Sequence, residues 1–108
     1  MRTLGPADAG TDIEVPAGSA FVLRLPENAS TGYQWEVVER PAGLQCLADR
    51  SVPARGLTPG AAGAHEFEFA VSTEPGAPSS GQLILHLRRS WEATREPVET
   101  FAVTLVSP

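Results

Sequence analysis

Leu25-Pro26-Glu27-Asn28-Ala29-Ser30-Thr31-Gly32-Tyr33-Gln34-Trp35-Glu36-Val37 divides into three parts with different physical tendencies. The middle five, 28–32, are small, polar or glycine. Such residues bond their own backbone or accept left-handed dihedrals, so they resist both helix and ladder. On either side the pattern turns to period two. Phe21, Leu23 and Leu25 alternate with Val22 and Arg24 before the loop, and Tyr33, Trp35 and Val37 alternate with Gln34 and Glu36 after it. The stretch therefore reads as a polar arch standing on two half-buried strands.

The same alternation recurs along the chain. Residues 1–11, broken by Gly5-Pro6 and Ala9-Gly10, read as a loose lead-in, and 12–108 as a single domain. Ile13 and Val15 mark a first short strand, closed by a Pro16-Ala17-Gly18 turn; strands over 19–25 and 33–39 follow, and Pro41-Ala42-Gly43 turns the chain again. The segment 44–52 reads as a strand through Leu44, Cys46 and Leu47, although Leu47-Ala48-Asp49-Arg50 also fits a helical turn. After a glycine- and proline-rich connector, His65, Phe67, Phe69 and Val71 alternate with Glu66 and Glu68 in the cleanest period-two run of the chain. Leu83, Leu85 and Leu87 share one face of a strand over 82–89, and Phe101, Val103 and Leu105 one face of a strand over 98–106.

Seven short strands separated by turns predict an all-β, immunoglobulin-like β-sandwich, with Trp35 where that fold buries a tryptophan on its third strand. A chain of 108 residues buries about 65% of its unfolded surface, enough for a core that needs no staple. With Cys46 the only cysteine, no internal disulfide crosses the sheets. Phe21, Trp35, Phe67, Phe69 and Phe101 are expected to supply the core in its place.

Composition narrows the functional classes. Thirteen acidic against eight basic residues give a formal net charge of −5, which opposes binding to nucleic acid. No apolar run is long enough to cross a membrane, and the first thirty residues lack a signal peptide's apolar stretch, so a cytoplasmic monomer is expected if Met1 is the native start. His65 and His86 have no Cys, His or acidic partner at ligand spacing, so neither metal nor cofactor is expected. Catalysis lacks parts: Ser30 and Thr31 have no strand-turn-helix setting and no evident base, and Cys46 sits among apolar neighbours that keep a thiol inert. The Asn28-Ala29-Ser30 sequon is read as coincidence, since a glycan there would cover the arch.

If every connection reverses the chain, three loops gather at one end of the sandwich. They hold Asn28-Ala29-Ser30-Thr31-Gly32, Gly60-Ala61-Ala62-Gly63 and Arg89-Ser90-Trp91. Asn28-Ala29-Ser30-Thr31-Gly32-Tyr33-Gln34-Trp35 resembles the Asn-Pro-(Ser/Thr)-Thr-Gly-Tyr-x-Trp signature of the chagasin-like inhibitors of papain-family cysteine peptidases. The other two loops resemble that family's Gly-x-x-Gly loop and Arg-Pro-Trp turn, in the same order and over nearly the whole chain.

The resemblance implies a reversible, competitive protein inhibitor whose partner is a papain-like cysteine peptidase. By that likeness 28–32 sits over the catalytic cysteine and histidine, with Tyr33 at its edge. Gly60, Ala61, Ala62 and Gly63 run along the non-primed side, and Arg89 and Trp91 pack on the primed side. Each residue also has a local role to fill. Asn28 and Thr31 bond the loop backbone, Gly32 supplies a positive φ, and of Tyr33 and Trp35, which share a face, Trp35 is the core residue. Ala29 and Ser90 stand where the family pattern has proline, which leaves both loops less preorganised. The alternative is an immunoglobulin-like interaction module with no peptidase target.

Overall fold

The computed structural model describes residues 2–27, 33–52, 63–74, 80–89 and 99–106. Among them lie eight strands: β1 (Arg2–Leu4), β2 (Asp12–Glu14), β3 (Ala20–Glu27), β4 (Tyr33–Glu39), β5 (Leu44–Val52), β6 (Gly63–Val71), β7 (Gly81–Arg89) and β8 (Glu99–Val106). They form two four-stranded sheets, ordered β1-β3-β6-β5 and β2-β8-β7-β4, in an immunoglobulin-like sandwich. Seven of the eight strands fall where the alternation of apolar residues predicts them.

The eighth lies in the segment read as a loose lead-in. Arg2–Leu4 pairs in parallel with Phe21–Leu23 of β3, and Leu4 is fully buried in the core. Three residues are too few to show a period, which is why the sequence pattern missed β1. Pro6–Asp8 then forms a 3-10 turn whose Asp8 carboxylate accepts the Gly5 backbone N–H at 2.9 Å, and the chain crosses to the other sheet, where β2 pairs in parallel with β8. The N-terminal segment is thus divided between the two sheets, β1 in one and β2 in the other. The turn into β3 needs its glycine: Ser19 N–H bonds the Pro16 carbonyl at 3.1 Å, and Gly18 between them has φ +81°.

The segment 44–52, open to a helical turn on sequence, is a strand. Its pattern is ambiguous because of a β-bulge: Cys46 stands opposite Phe69 and Ala48 opposite Glu68, leaving Leu47 unpaired and half exposed. Leu44 and Cys46 face the core before the bulge, and Asp49 and Ser51 take that face after it, opposite Phe67 and His65. A second irregularity in β4 leaves Val38 exposed in the same way.

The core joins both sheets. Phe21, Trp35, Phe67, Phe69 and Phe101 are all buried, as their faces predict, with Phe21 and Phe69 5.4 Å apart between ring centroids and Phe67 and Phe69 stacked at 6.1 Å. Each fully buried large apolar side chain contributes about 1.5–3 kcal/mol, so this cluster outweighs the missing covalent staple. Outside it, Arg24 and Arg50 hold Glu66 at 3.0 and 3.6 Å across the outer face of β3, β6 and β5. Exposed pairs of this kind add little stability.

Candidate functional site

Strand register puts three connections at one end of the sandwich. In the first sheet Glu27, where β3 ends, lies opposite Gly63, where β6 begins, and Val52, where β5 ends, lies opposite Ala64. In the second, Tyr33 at the start of β4 lies opposite Arg89 at the end of β7, and Leu87 lies opposite Glu99, where β8 begins. The connections 28–32, 53–62 and 90–98 therefore leave and rejoin the sheets at one edge, as alternation of chain direction requires.

The sequence-derived site residues divide accordingly. Tyr33 is partly buried at the first position of β4, and Trp35, on the same face, is the buried one of the two. Gly63 belongs to the ladder rather than to the connector, because β6 starts two residues earlier than its alternation suggests. Arg89 closes β7. Asn28, Ala29, Ser30, Thr31, Gly32, Gly60, Ala61, Ala62, Ser90 and Trp91 lie outside the described residues.

The base of the first connection is held from both sides by Trp35. Its indole Nε1–H donates to the Pro26 carbonyl at 2.9 Å, and its backbone N–H donates to the Glu27 carboxylate at 3.1 Å. The residues before and after 28–32 are thus tied across the two sheets. The indole buries its ring while its polar atom finds a partner, the usual condition for a core tryptophan. Pro26, which has no N–H to give a ladder, sits near the end of β3 beyond the reach of β1, where the strand has one open side.

Glu27 itself is buried, 5% exposed, at the apolar end of β3, on the face set by Phe21, Leu23 and Leu25. An ionised carboxylate there is costly unless every oxygen is satisfied. Ser51 donates its hydroxyl at 2.7 Å, Trp35 its N–H, and His65 Nδ1 lies 2.8 Å away. On the ring's other side Nε2 meets the exposed carboxylate of Asp49. Where an imidazole nitrogen meets an ionised carboxylate, the nitrogen donates and the carboxylate oxygen accepts. Phe67 stacks on the imidazole with centroids 4.5 Å apart and fixes its plane.

Sequence reasoning missed this group and gave His65 no acidic partner. Its partners are distant in the chain, Glu27 by 38 residues and Asp49 by 16, and the β5 bulge decides that Asp49 and Ser51 face it. One signal was present: Glu27 continues the inward alternation of β3, and a charged residue on an apolar face demands a partner. Among the described residues no group of His, Cys, Asp and Glu is arranged to hold a metal ion. Cys46 packs against the core, and its thiol is held above the ordinary range, first by burial and then by the Asp49 carboxylate, with Arg40 opposing.

Comparison with known proteins agrees with this architecture. A cysteine protease inhibitor from Entamoeba histolytica, EhICP2, is 18% identical to the chain and superposes with a TM-score of 0.77 over 99% of this chain and 94% of its own. Amebosin is 21% identical, with a TM-score of 0.73 over 99% and 97%. PbICP-C, whose structure was determined in complex with falcipain-2, is 12% identical, with a TM-score of 0.63 over the whole of both chains. No curated protein is significantly similar in sequence. The family model of the chagasin family of peptidase inhibitors, I42, matches residues 14–105, nearly all of the sandwich, and the chain belongs to that family.

Proposed function

We propose that this inhibitor acts on papain-like cysteine peptidases, reversibly and competitively, by placing the loop-bearing end of the sandwich in the active-site cleft. The observation that carries the reading is that the strand ends flanking three connections, in or beside which the sequence resembles the family's three motifs, lie at one end of the sandwich. A cleft is filled by a narrow edge better than by a flat sheet face, and backbone rich in glycine approaches it closely. In this reading Asn28, Ala29, Ser30, Thr31 and Gly32 cover the catalytic cysteine and histidine. Gly60, Ala61, Ala62 and Gly63 follow the non-primed side, and Trp91 with Arg89 anchors the primed side, an aromatic beside an arginine being a common interface anchor. No bond in the inhibitor breaks.

The test is a panel of papain-like peptidases titrated with the purified chain, with serine peptidases as controls. Inhibition constants between nanomolar and micromolar are expected for at least one cysteine peptidase and none for the serine enzymes. Silence across the panel at roughly 100 µM, where binding worth only about 5.5 kcal/mol still registers, returns the chain to a binding module with another target.

A further inference from the structure

We propose that Glu27 is a positioning residue of the inhibitory edge, its buried carboxylate locking the base of the 28–32 connection to the base of the 53–62 connection. This rests on the inhibitor reading above. The carboxylate is the last residue of β3 before the first connection, and it accepts the N–H of Trp35, three residues past the end of that connection. Its other oxygen accepts the hydroxyl of Ser51, one residue before β5 ends and the second connection begins. His65, two residues beyond the start of β6 where that connection ends, is held at 2.8 Å. One side chain therefore reaches both flanks of each of two connections.

The geometry is more than a way of satisfying a buried charge. Leucine at this position would continue the apolar face of Phe21, Leu23 and Leu25 and carry no desolvation cost, and buried ion pairs are often replaced by apolar groups without loss of stability. A carboxylate at this place instead imposes direction. Its oxygens define where the Trp35 backbone, the Ser51 hydroxyl and the His65 ring sit relative to one another, and apolar contact sets no such angles. An edge whose loop bases are fixed before encounter loses less conformational freedom when a partner orders it. Asp49, on the far side of His65, and the stacked Phe67 ring flank the imidazole beside Glu27.

The experiment compares Glu27→Leu, Glu27→Gln and Val71→Ala with the parent, each first shown to be folded. Val71 is buried at the opposite end of β6 and measures the effect of weakened packing alone. Glu27→Leu is expected to raise the inhibition constant about ten-fold or more, the scale of hydrogen bonds to a charged group. Glu27→Gln keeps an oxygen for the Trp35 and His65 donors and is expected to stay within about three-fold. Val71→Ala is expected to leave inhibition unchanged. Amide hydrogen exchange on the free protein supplies a second readout that needs no peptidase: Glu27→Leu should speed exchange at Trp35 selectively, and Val71→Ala should not.

Parent-level inhibition by Glu27→Leu, unchanged Trp35 exchange, or an equal loss in Val71→Ala overturns the proposal. If the parent inhibits no peptidase, the inhibitor reading fails separately, and the exchange comparison alone decides whether Glu27 orders the edge. Should Glu27→Leu not fold, Ser51→Ala removes one of the carboxylate's three partners. It is then expected to move both readouts in the same direction by about three-fold, and no movement in either overturns the proposal.

Discussion

The two tryptophans of this chain allow framework and contact to be tested separately. Trp35 is buried between the sheets with both its N–H groups bonded, so Trp35→Ala, which keeps the backbone N–H but removes the indole, should cost about 3–5 kcal/mol in urea unfolding, through the cavity it leaves and the Pro26 carbonyl it strands. Trp91→Ala, on the reading proposed above, should leave the urea midpoint nearly unchanged and weaken peptidase binding by about 2 kcal/mol or more. Equal loss of stability in the two variants would make Trp91 part of the core. At Cys46 burial favours the neutral thiol, so the folded state holds its proton more tightly than the unfolded chain. Whatever stability this adds is present below the ordinary thiol range and is lost as pH rises through the raised value. Iodoacetamide should therefore label Cys46 more slowly in the folded protein than in urea near neutral pH, with the rate climbing only under alkaline conditions. Equal labelling rates would refute the partly buried setting.

At the scale of the element, β5 is the informative strand. Unbroken alternation from Leu44 and Cys46 would carry Ala48 and Arg50 to the core face. The bulge at Leu47 sends those two outward and brings Asp49 and Ser51 in. Substitution distinguishes the two registers. Arg50→Ala, removing an exposed partner of Glu66, should change stability by no more than about 0.5 kcal/mol. Ser51→Ala, losing a hydrogen bond to a buried carboxylate, should cost about 1–2 kcal/mol. The reverse order in denaturant titrations would mean that β5 runs without the bulge.

Across the whole molecule one continuous core spans both sheets, from Leu4 and Ile13 near the N-terminus to Leu105 near the end. Neither sheet can shed its partner without exposing that core, so the chain should unfold in one cooperative step. Far-UV circular dichroism, which follows all the strands, and the fluorescence of buried Trp35 should give superimposable urea transitions. Separated midpoints would show that one sheet survives the loss of the other. The same continuity makes the loop-bearing edge a stiff platform, because β3, β4, β5, β6, β7 and β8 all present an end there and all contribute buried residues or packed neighbours behind it.

Much of this was legible in the residues themselves. Period-two alternation located seven strands and, outside 44–52, assigned their inward faces, since successive strand side chains point to opposite sides and only one side avoids water. Parity of the connections placed the loops holding 28–32, 60–63 and 89–91 at one end. What the tertiary structure alone decided is where local pattern carries no information. β1 is too short to show a period and exists through its parallel pairing with β3. The extra residue Leu47 changes which side chains of β5 face inward, a choice made by pairing with β6. The Glu27, His65, Asp49 and Ser51 group arises only when three strands distant in sequence are brought side by side. A buried charge demands partners, and only the folded neighbourhood determines which side chains meet that demand.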